Sequence, residues 1–241
     1  MAKRPRPDPG GEAEGRGGGG GDGGGGGGGG GCGPTRSLAV DDGALDLALL
    51  EVIENALPLP FLDPRRGAAG VVMVHRLGTF PADEAEVHLW RKCRGYKNKL
   101  CPVGFRGECT WWKLGGSLAD PEHYMCEVEV QEGRPLFVVR NTRNATEVTR
   151  GNSANEALGT MTCRWNRSSV RNVEDGPRIF GYGLLQDILA LLPNAEKFFG
   201  KGFAEGRLAR RKAAQETFQR ACKLRDKMER GELIRDIINS T

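Results

Sequence analysis

The pattern of hydrophobic and polar positions changes along the chain from the period of a β-strand to the period of a helix. In the middle of the chain, apolar residues alternate with Glu127 and Glu129, as in a strand with one buried face. These apolar positions are Tyr124, Cys126, Val128 and Val130. Gly133 then predicts a turn, and residues 136–140 predict the second strand of a hairpin.

Two shorter apolar runs before the hairpin predict further strands. Residues 71–74 are apolar and mostly β-branched, and Gly78 ends this stretch. Residues 109–114 are rich in aromatic side chains, which favour strands. Between the two runs, Pro102 and Gly104 predict a rigid bend, because proline fixes one backbone angle and glycine reaches angles closed to other residues.

Helical spacing dominates after the hairpin. Ser153 and Glu156 have the spacing of a capping box, and the helix predicted behind them has apolar positions at Ala154, Ala157, Leu158, Met161 and Trp165. A second helix is predicted to end at Pro193 and to carry Leu184, Leu185, Ile188, Leu189 and Leu192. Residues 206–241 predict a charged helical tail with a break at Gly231 and a thin apolar stripe at Phe218, Cys222, Met228, Leu233 and Ile237. Strands followed by helices indicate an α+β fold.

The N-terminal part of the chain divides by composition. Residues 1–36 hold long glycine runs and too little apolar surface to offset the entropy of ordering, so a disordered glycine-rich tail is predicted. Residues 37–70 predict a helix capped by Asp42 and then a proline-containing link over residues 57–66. We expect this helix to pack on the domain through Leu45, Leu49, Leu50 and Ile53.

Composition and charge narrow the classes of function. The net charge of +4 over 241 residues is small for a dedicated nucleic-acid binder. No apolar run approaches the roughly 20 residues that span a bilayer, and the first residues lack the apolar segment of a secretory signal. We therefore expect an intracellular protein with no membrane partner. The basic cluster at residues 3–6 has the composition of a nuclear import signal.

The residues that could carry metal or catalytic chemistry lack the usual spacing. Of the 7 cysteines, four lie in one region with two histidines: Cys93, Cys101, Cys109, Cys126, His88 and His123. A structural zinc site takes its ligands in close pairs such as Cys-x-x-Cys, and these spacings are wider, so no metal or other cofactor is predicted. The sequence has no nucleophile motif and no phosphate loop. We expect no enzymatic activity and no small-molecule substrate, and a cysteine-dependent enzyme is the least favoured interpretation.

Several of these segments together resemble the phenylalanine- and tyrosine-rich (FYR) modules of chromatin proteins. The N-terminal part of that family has a strand ending in Leu-Gly, an aromatic-Pro-Val-Gly-aromatic turn, an arginine, an aromatic strand, an Asp-Pro pair and a Tyr-x-Cys-x-hydrophobic strand. The similar segments here are Val71 to Gly78, Cys101-Pro102-Val103-Gly104-Phe105, Arg106, Trp111-Trp112, Asp120-Pro121 and Tyr124 to Val128. Cys101 stands where the family usually has an aromatic residue.

The second half of the chain is similar to the C-terminal part of the same family. The family's Gly-x-Pro-x-Phe-x-Val pattern, tryptophan-bearing helix, Phe-Gly pair and Leu-Pro-x-Ala end resemble Gly133 to Val139, Gly151 to Trp165, Phe180-Gly181 and Leu192 to Ala195. The two parts stand together, as in the small transforming-growth-factor-beta regulator type. The resemblance covers about residues 71–199.

The resemblance implies both a fold and a function. An FYRN-like half, residues 71–122, and an FYRC-like half, residues 123–205, would jointly form one antiparallel sheet with helices packed against it. The implied function is that of a nuclear, non-enzymatic module that contacts chromatin-regulator proteins in transcription or cell-cycle control. SET and Jumonji regions are absent from the sequence, so no methyltransferase or demethylase activity is implied.

Two groups of residues are candidate contact sites. Trp111 and Trp112 are candidate partner contacts. Adjacent residues of a strand face opposite sides of the sheet, so one of the two tryptophans should be less buried than the other. The alternative interpretation is that both rings pack in the core. Candidate phosphate contacts begin the helical tail: Arg207, Arg210, Arg211 and Lys212. The alternative function is therefore sequence-nonspecific nucleic-acid binding through this basic helix. The same residues could also be interpreted as a solvent-exposed helix face with no binding role.

Overall fold

One six-stranded antiparallel sheet organises the residues that the computed structural model describes, which are 42–63, 70–80, 82–83, 102–111, 122–165, 176–199 and 206–232. The strands are β1 (Leu59–Leu62), β2 (Val71–Arg76), β3 (Arg106–Trp111), β4 (Glu122–Gln131), β5 (Arg134–Asn141) and β6 (Val148–Gly151). Each strand pairs with the next one in the chain, so the sheet is a meander. The predicted tail, residues 1–36, lies outside the described residues.

Helices cover the apolar face of this sheet, which we call the inner face. They are α1 (Asp42–Asn55), α2 (Ala154–Trp165), α3 (Gly176–Ile179), α4 (Gln186–Leu189), α5 (Ala195–Phe199) and α6 (Arg207–Glu229). Side chains after α3 lie against the inner face: the Phe180 ring stands 5.8 Å from that of Phe137, and the Tyr182 ring 6.0 Å from that of Phe105. The predicted α+β class is confirmed. Among the described helices, none is long and apolar enough to cross a membrane.

The two predicted halves share the sheet through the pairing of β3 with β4. Gly107 lies opposite Cys126, and Cys109 opposite Tyr124. All the residues of β3 belong to the first half, and nearly all of β4 belongs to the second. The prediction of one sheet formed jointly by both halves is therefore confirmed.

The β4–β5 hairpin follows the predicted alternation except at one position. Tyr124, Cys126 and Val128 are buried, whereas the Val130 side chain is 54% exposed. Val130 lies opposite Pro135, one pair from the turn. The buried positions of the alternating face therefore end at Val128.

Two strands lie where the sequence predicted none. The link over residues 57–66 contains β1, whose Pro60 is tolerated because β1 is an edge strand, where a missing backbone N–H leaves no sheet partner unpaired. Strand β6 has only four residues, two of them polar, which is too short for its alternation to be recognised. It forms the opposite edge of the sheet.

The second predicted helix is shorter than its leucine-rich sequence indicates. Only Gln186–Leu189 is helical, and the residues on either side form turns. Leu185, Ile188, Leu189, Leu191 and Leu192 are all buried. Because this segment is enclosed on all sides, its apolar positions report burial rather than the length of a helix.

The C-terminal helix α6 is part of the core. It ends at Glu229, and Gly231 has a φ of 76°, so the predicted break is confirmed. The predicted apolar stripe was wrong in its composition, because the buried side chains are Ala214, Thr217, Ala221 and Leu224. Phe218 and Cys222 are only partly buried, and Leu233 and Ile237 lie outside the described residues. The small buried residues allow this helix to lie close to β1 and α4. A hydropathy pattern alone does not reveal such a packing face.

Candidate functional site

The Leu-Gly and Pro-Val-Gly segments meet in one structural unit, which we call the two-glycine junction (Gly78 with Pro102 to Phe105). The Thr79 N–H donates to the carbonyl O of Val103 at 2.7 Å. Gly78 and Gly104 have φ values of 85° and 77°, a left-handed conformation that favours glycine. A β-carbon at Gly78 would lie 2.5 Å from the Val103 carbonyl O, so the close approach itself requires glycine there.

The junction also binds the two halves of the chain to each other. The Gly104 N–H donates to the carbonyl O of Val128 on β4 at 2.7 Å, and the Val128 N–H donates to the carbonyl O of Phe105 at 3.1 Å. The Phe105 ring is buried against Tyr182 in an edge-on contact. The Pro-Val-Gly segment, the most distinctive part of the sequence, is therefore hydrogen-bonded both to Thr79, just after the end of β2, and to β4, directly before β3 begins.

A cleft of about 500 Å³ opens beside the junction. It is lined by His75, Arg76, Val103, Gly104, Phe105, Arg106, Glu127, Val128 and Glu129. The charged members come from the side of the sheet opposite the helices, which we call the outer face. The apolar members Phe105 and Val128 are buried and Val103 is partly buried, so the exposed side chains of the cleft are mainly charged.

The acidic wall of the cleft is held by an arginine of β5. The Arg140 Nε donates to Glu127 at 2.8 Å, and its Nη2 donates to Glu129 at 2.6 Å. The hydrogen bond to Glu127, reinforced by that to Glu129, raises the pKa of Arg140 above its ordinary value against the opposing effect of burial. One guanidinium therefore neutralises much of the charge of both carboxylates.

A second polar cluster on the outer face joins β2, β3 and β4. Glu108 lies between two imidazoles, 3.6 Å from His75 Nε2 and 3.1 Å from His123 Nδ1. Both histidines become cationic partners of Glu108 when protonated. Sequence reasoning missed this cluster and the cleft, because the pairing that assembles them depends on the strand register. The one available signal was that Glu127 and Glu129, which line the cleft, occupy the outward positions of a predicted strand.

The predicted tryptophan contacts fall at the border of the described structure. Trp111 is the last residue of β3, where its backbone lies opposite Glu122. Trp112 lies outside the described residues. A partner contact through Trp111 or Trp112 stays a prediction.

The predicted phosphate contacts divide into two pairs. Arg207 and Arg211 both donate through Nε to the carboxylate of Asp46 on α1, and the Arg211 Nη2 also contacts Asp42 at 3.1 Å. The Asp46 side chain is 3% exposed and that of Arg211 is 14% exposed, whereas that of Arg207 is 37% exposed, so both guanidiniums are held by one buried carboxylate. Arg210 is half-buried and Lys212 is exposed. Only part of the predicted cationic group is therefore presented to solvent.

Two of the cysteines in the described part of the chain act as core residues, whereas Cys222 is only partly buried. Cys109 and Cys126 are buried, with their sulfur atoms 3.6 Å apart on neighbouring strands. Cys93, Cys101 and His88 lie outside the described residues. Among the described residues, no group of three or more His, Cys, Asp or Glu side chains is arranged to hold a metal ion.

Comparison with models of known protein families gives no match, and comparison with curated protein sequences gives none either. The assignment of a function therefore depends on the motifs and on the geometry of the junction and the cleft.

Proposed function

We propose that this chain is a non-enzymatic interaction module of the FYR type, which acts in the nucleus by contacting chromatin-regulator proteins in transcription or cell-cycle control. The observation that carries the proposal is the two-glycine junction. The family-like Leu-Gly and Pro-Val-Gly segments, 23 residues apart in sequence between Gly78 and Pro102, contact each other through the hydrogen bond from Thr79 to Val103. The same motif residues line a charged cleft on the exposed side of the sheet.

The arrangement of charges supports recognition rather than catalysis. Glu127 and Glu129 each accept a hydrogen bond from Arg140, and Glu108 is hydrogen-bonded to His123. A general acid or base works best when one group is poised against the substrate with its pKa near the working pH. Carboxylates that are already paired instead fix the shape and charge of a surface.

Affinity purification from nuclear extract tests the proposal. The bait is the tagged full chain, and a matched bait carries Gly78→Ala, which we expect to disrupt the junction. We expect the native bait to enrich chromatin-regulator proteins and the variant to lose them. Nuclear accumulation of a fluorescent fusion, lost when residues 3–6 are neutralised, is the accompanying expectation. A cytoplasmic fusion that enriches no chromatin protein would overturn the proposal.

Direct nucleic-acid binding through α6 is the alternative function, and the geometry supports it less well. Arg207 and Arg211 are bound to Asp46, while Lys212 lies on the exposed side of the helix with acidic neighbours such as Glu216. Phosphate contacts through the remaining cations would weaken steeply as salt increases. Duplex DNA binding that disappears with Lys212→Ala and at raised salt would establish this alternative.

A further inference from the structure

Two arginines face each other across neighbouring strands at the mouth of the cleft. Arg76 on β2 is the register partner of Arg106 on β3. Like charges directly opposite each other on a sheet are destabilising. The register shifts between Val74 and Arg76, and such bulges redirect side chains and are frequent beside functional sites. An unfavourable pair at a bulge therefore points to a ligand of opposite charge.

Both guanidiniums keep unused hydrogen-bond donors. The Arg76 side chain is exposed, and its guanidinium makes no ion pair or hydrogen bond with any residue in the described part of the chain. Arg106 is 54% exposed and uses its Nε for two weak contacts, 3.5 Å from Glu127 and 3.3 Å from the Met125 sulfur. A guanidinium has five N–H donors in one plane, which match a carboxylate or phosphate group in pairs.

The acidic wall leaves the charge of this arginine pair largely uncompensated. Glu127 lies closer to Arg140, at 2.8 Å, than to Arg106, at 3.5 Å. Glu129 is bound by Arg140 at 2.6 Å. Counting Arg140 with the cleft residues, three arginines stand against the carboxylates of Glu127 and Glu129, so an anion entering the cleft meets one net positive charge.

We propose that Arg76 and Arg106 bind an oxyanion carried by a peptide segment of a protein partner, either a glutamate or aspartate carboxylate or a phosphorylated serine or threonine. The residues flanking the oxyanion would lie over Val103, the partly buried apolar residue of the lining. This inference rests on the proposed function, for which it supplies the chemistry of the partner.

A peptide fits this cleft better than a nucleic acid does. Two cations make a short footprint, whereas a nucleic-acid surface carries a basic stripe along the phosphate backbone. With Glu127 and Glu129 in the same lining, the excess of one positive charge suits a single oxyanion rather than a series of phosphates. A volume of about 500 Å³ accommodates one side chain with its neighbours.

Fluorescence anisotropy with the full chain tests the inference. The probes are fluorescein-labelled peptides identical except at the centre, which holds three glutamates, three phosphoserines or three glutamines, and a labelled DNA duplex. We expect binding of the glutamate or phosphoserine peptide and none of the glutamine peptide; the stronger of the first two identifies the source of the oxyanion. Arg76→Ala and Arg106→Ala should each weaken binding about tenfold, the effect of losing a charge-assisted hydrogen bond.

Matched variants make the result specific to the cleft. Arg150→Ala removes the same charge from an exposed position on β6, outside the cleft, and should leave binding unchanged. Arg76→Lys keeps the charge but loses the planar fork, so binding should be intermediate. Arg76→Ala should not lower the melting temperature, since it removes the repulsion between the two arginines. Arg106→Ala removes the same repulsion together with the weak contacts to Glu127 and Met125, so its melting temperature should change little.

Three results would overturn the inference: no binding of either acidic peptide at about 1 mM, equal loss of binding with Arg150→Ala, or preferential binding of the duplex that requires Arg76 and Arg106. The proposed function fails separately. Suppose that the native bait and the double variant Arg76→Ala/Arg106→Ala enrich chromatin-regulator proteins equally. The proposed function would then be supported, and the proposed oxyanion site would be wrong.

Discussion

At the residue scale, Gly78 and Gly104 share a left-handed backbone but differ in what surrounds them. A β-carbon at Gly78 would meet the backbone of Val103 and Phe105 at 2.5 and 2.7 Å, whereas at Gly104 the nearest atom is 3.8 Å away. At Gly133, in the hairpin turn, nothing lies within 4 Å. The same substitution therefore has different costs at the three positions.

We predict that Gly78→Ala lowers the free energy of unfolding by at least about 3 kcal/mol, because overpacking adds to backbone strain. Gly104→Ala and Gly133→Ala should each lower it by only about 1–2 kcal/mol, the cost of a left-handed alanine. Urea denaturation of the three variants measures the difference. Equal losses at Gly78 and Gly133 would show that the close approach at the junction does not exist.

The phenol of Tyr124 is a second residue whose surroundings set a measurable property. Its hydroxyl donates to Glu122 Oε2 at 2.6 Å, and the ring is buried. Burial, followed by the hydrogen bond and the charge of Glu122, raises the pKa of Tyr124. The ordinary pKa of about 10 applies only to the unfolded chain.

We predict that the stability contributed by the neutral phenol is complete below about pH 10 and is lost as the pH rises above it, because the unfolded chain then releases a proton that the folded chain retains. Relative to Tyr124→Phe, the native chain should lose about 1.4 kcal/mol of unfolding free energy per pH unit above 10. Chemical denaturation between pH 8 and 11 measures both slopes. Parallel slopes for the two proteins would contradict the prediction.

At the scale of elements, α6 runs alongside α1 and holds it at both ends. Arg207 and Arg211 bind Asp46 near the start of α1, and the Arg225 Nη1 donates to the carbonyl O of Ala56 just after its end, at 3.2 Å. The two helices therefore point the same way. The segment predicted as a charged tail is a structural support of the N-terminal helix.

Removing the buried carboxylate should release this pair of helices. We predict that Asp46→Ala lowers the free energy of unfolding by about 3 kcal/mol, because it leaves the partly buried guanidiniums without a counter-charge. Asp42→Ala, at an exposed position of the same cluster, should cost less than about 1 kcal/mol. Hydrogen exchange should show faster opening of α6 in the first variant alone. Equal rates of hydrogen exchange in α6 for both variants would show that Asp46 does not stabilise the contact between α1 and α6.

The small buried face of α6 gives a further prediction. Ala221→Glu would place a charge at a buried position and should lower the free energy of unfolding by about 3 kcal/mol or more. Gln219→Glu, two residues away on the exposed side, should be close to neutral. Thermal melting compares them. A harmless Ala221→Glu would mean that α6 lies apart from the core.

The elements also show where the sequence is sufficient and where it is not. The hairpin, the capping residues Ser153 and Glu156, and the break at Gly231 could be predicted because each depends on a local pattern. Asp46 could not, since its partners lie 161 and 165 residues further along the chain. The cleft could not be predicted either, because the facing of Arg76 and Arg106 requires the register of two strands separated by a long connection.

At the scale of the whole molecule, neither half of the chain is a complete structure. Strand β3 has β2 on one side and β4 on the other, so separating the halves exposes a strand edge on each. It also divides the core, because Phe105 of the first half packs on Tyr182 of the second. We infer that the halves fold cooperatively and that the proposed interaction surface exists only in the joined molecule.

Fragment complementation is the most direct test of this claim. Residues 37–115 and 116–241 are produced separately, and circular dichroism follows urea unfolding of each fragment and of an equimolar mixture. We predict no cooperative transition for either fragment alone and a single cooperative transition for the mixture. A fragment that unfolds cooperatively without its partner would contradict the account of one scaffold built from two halves.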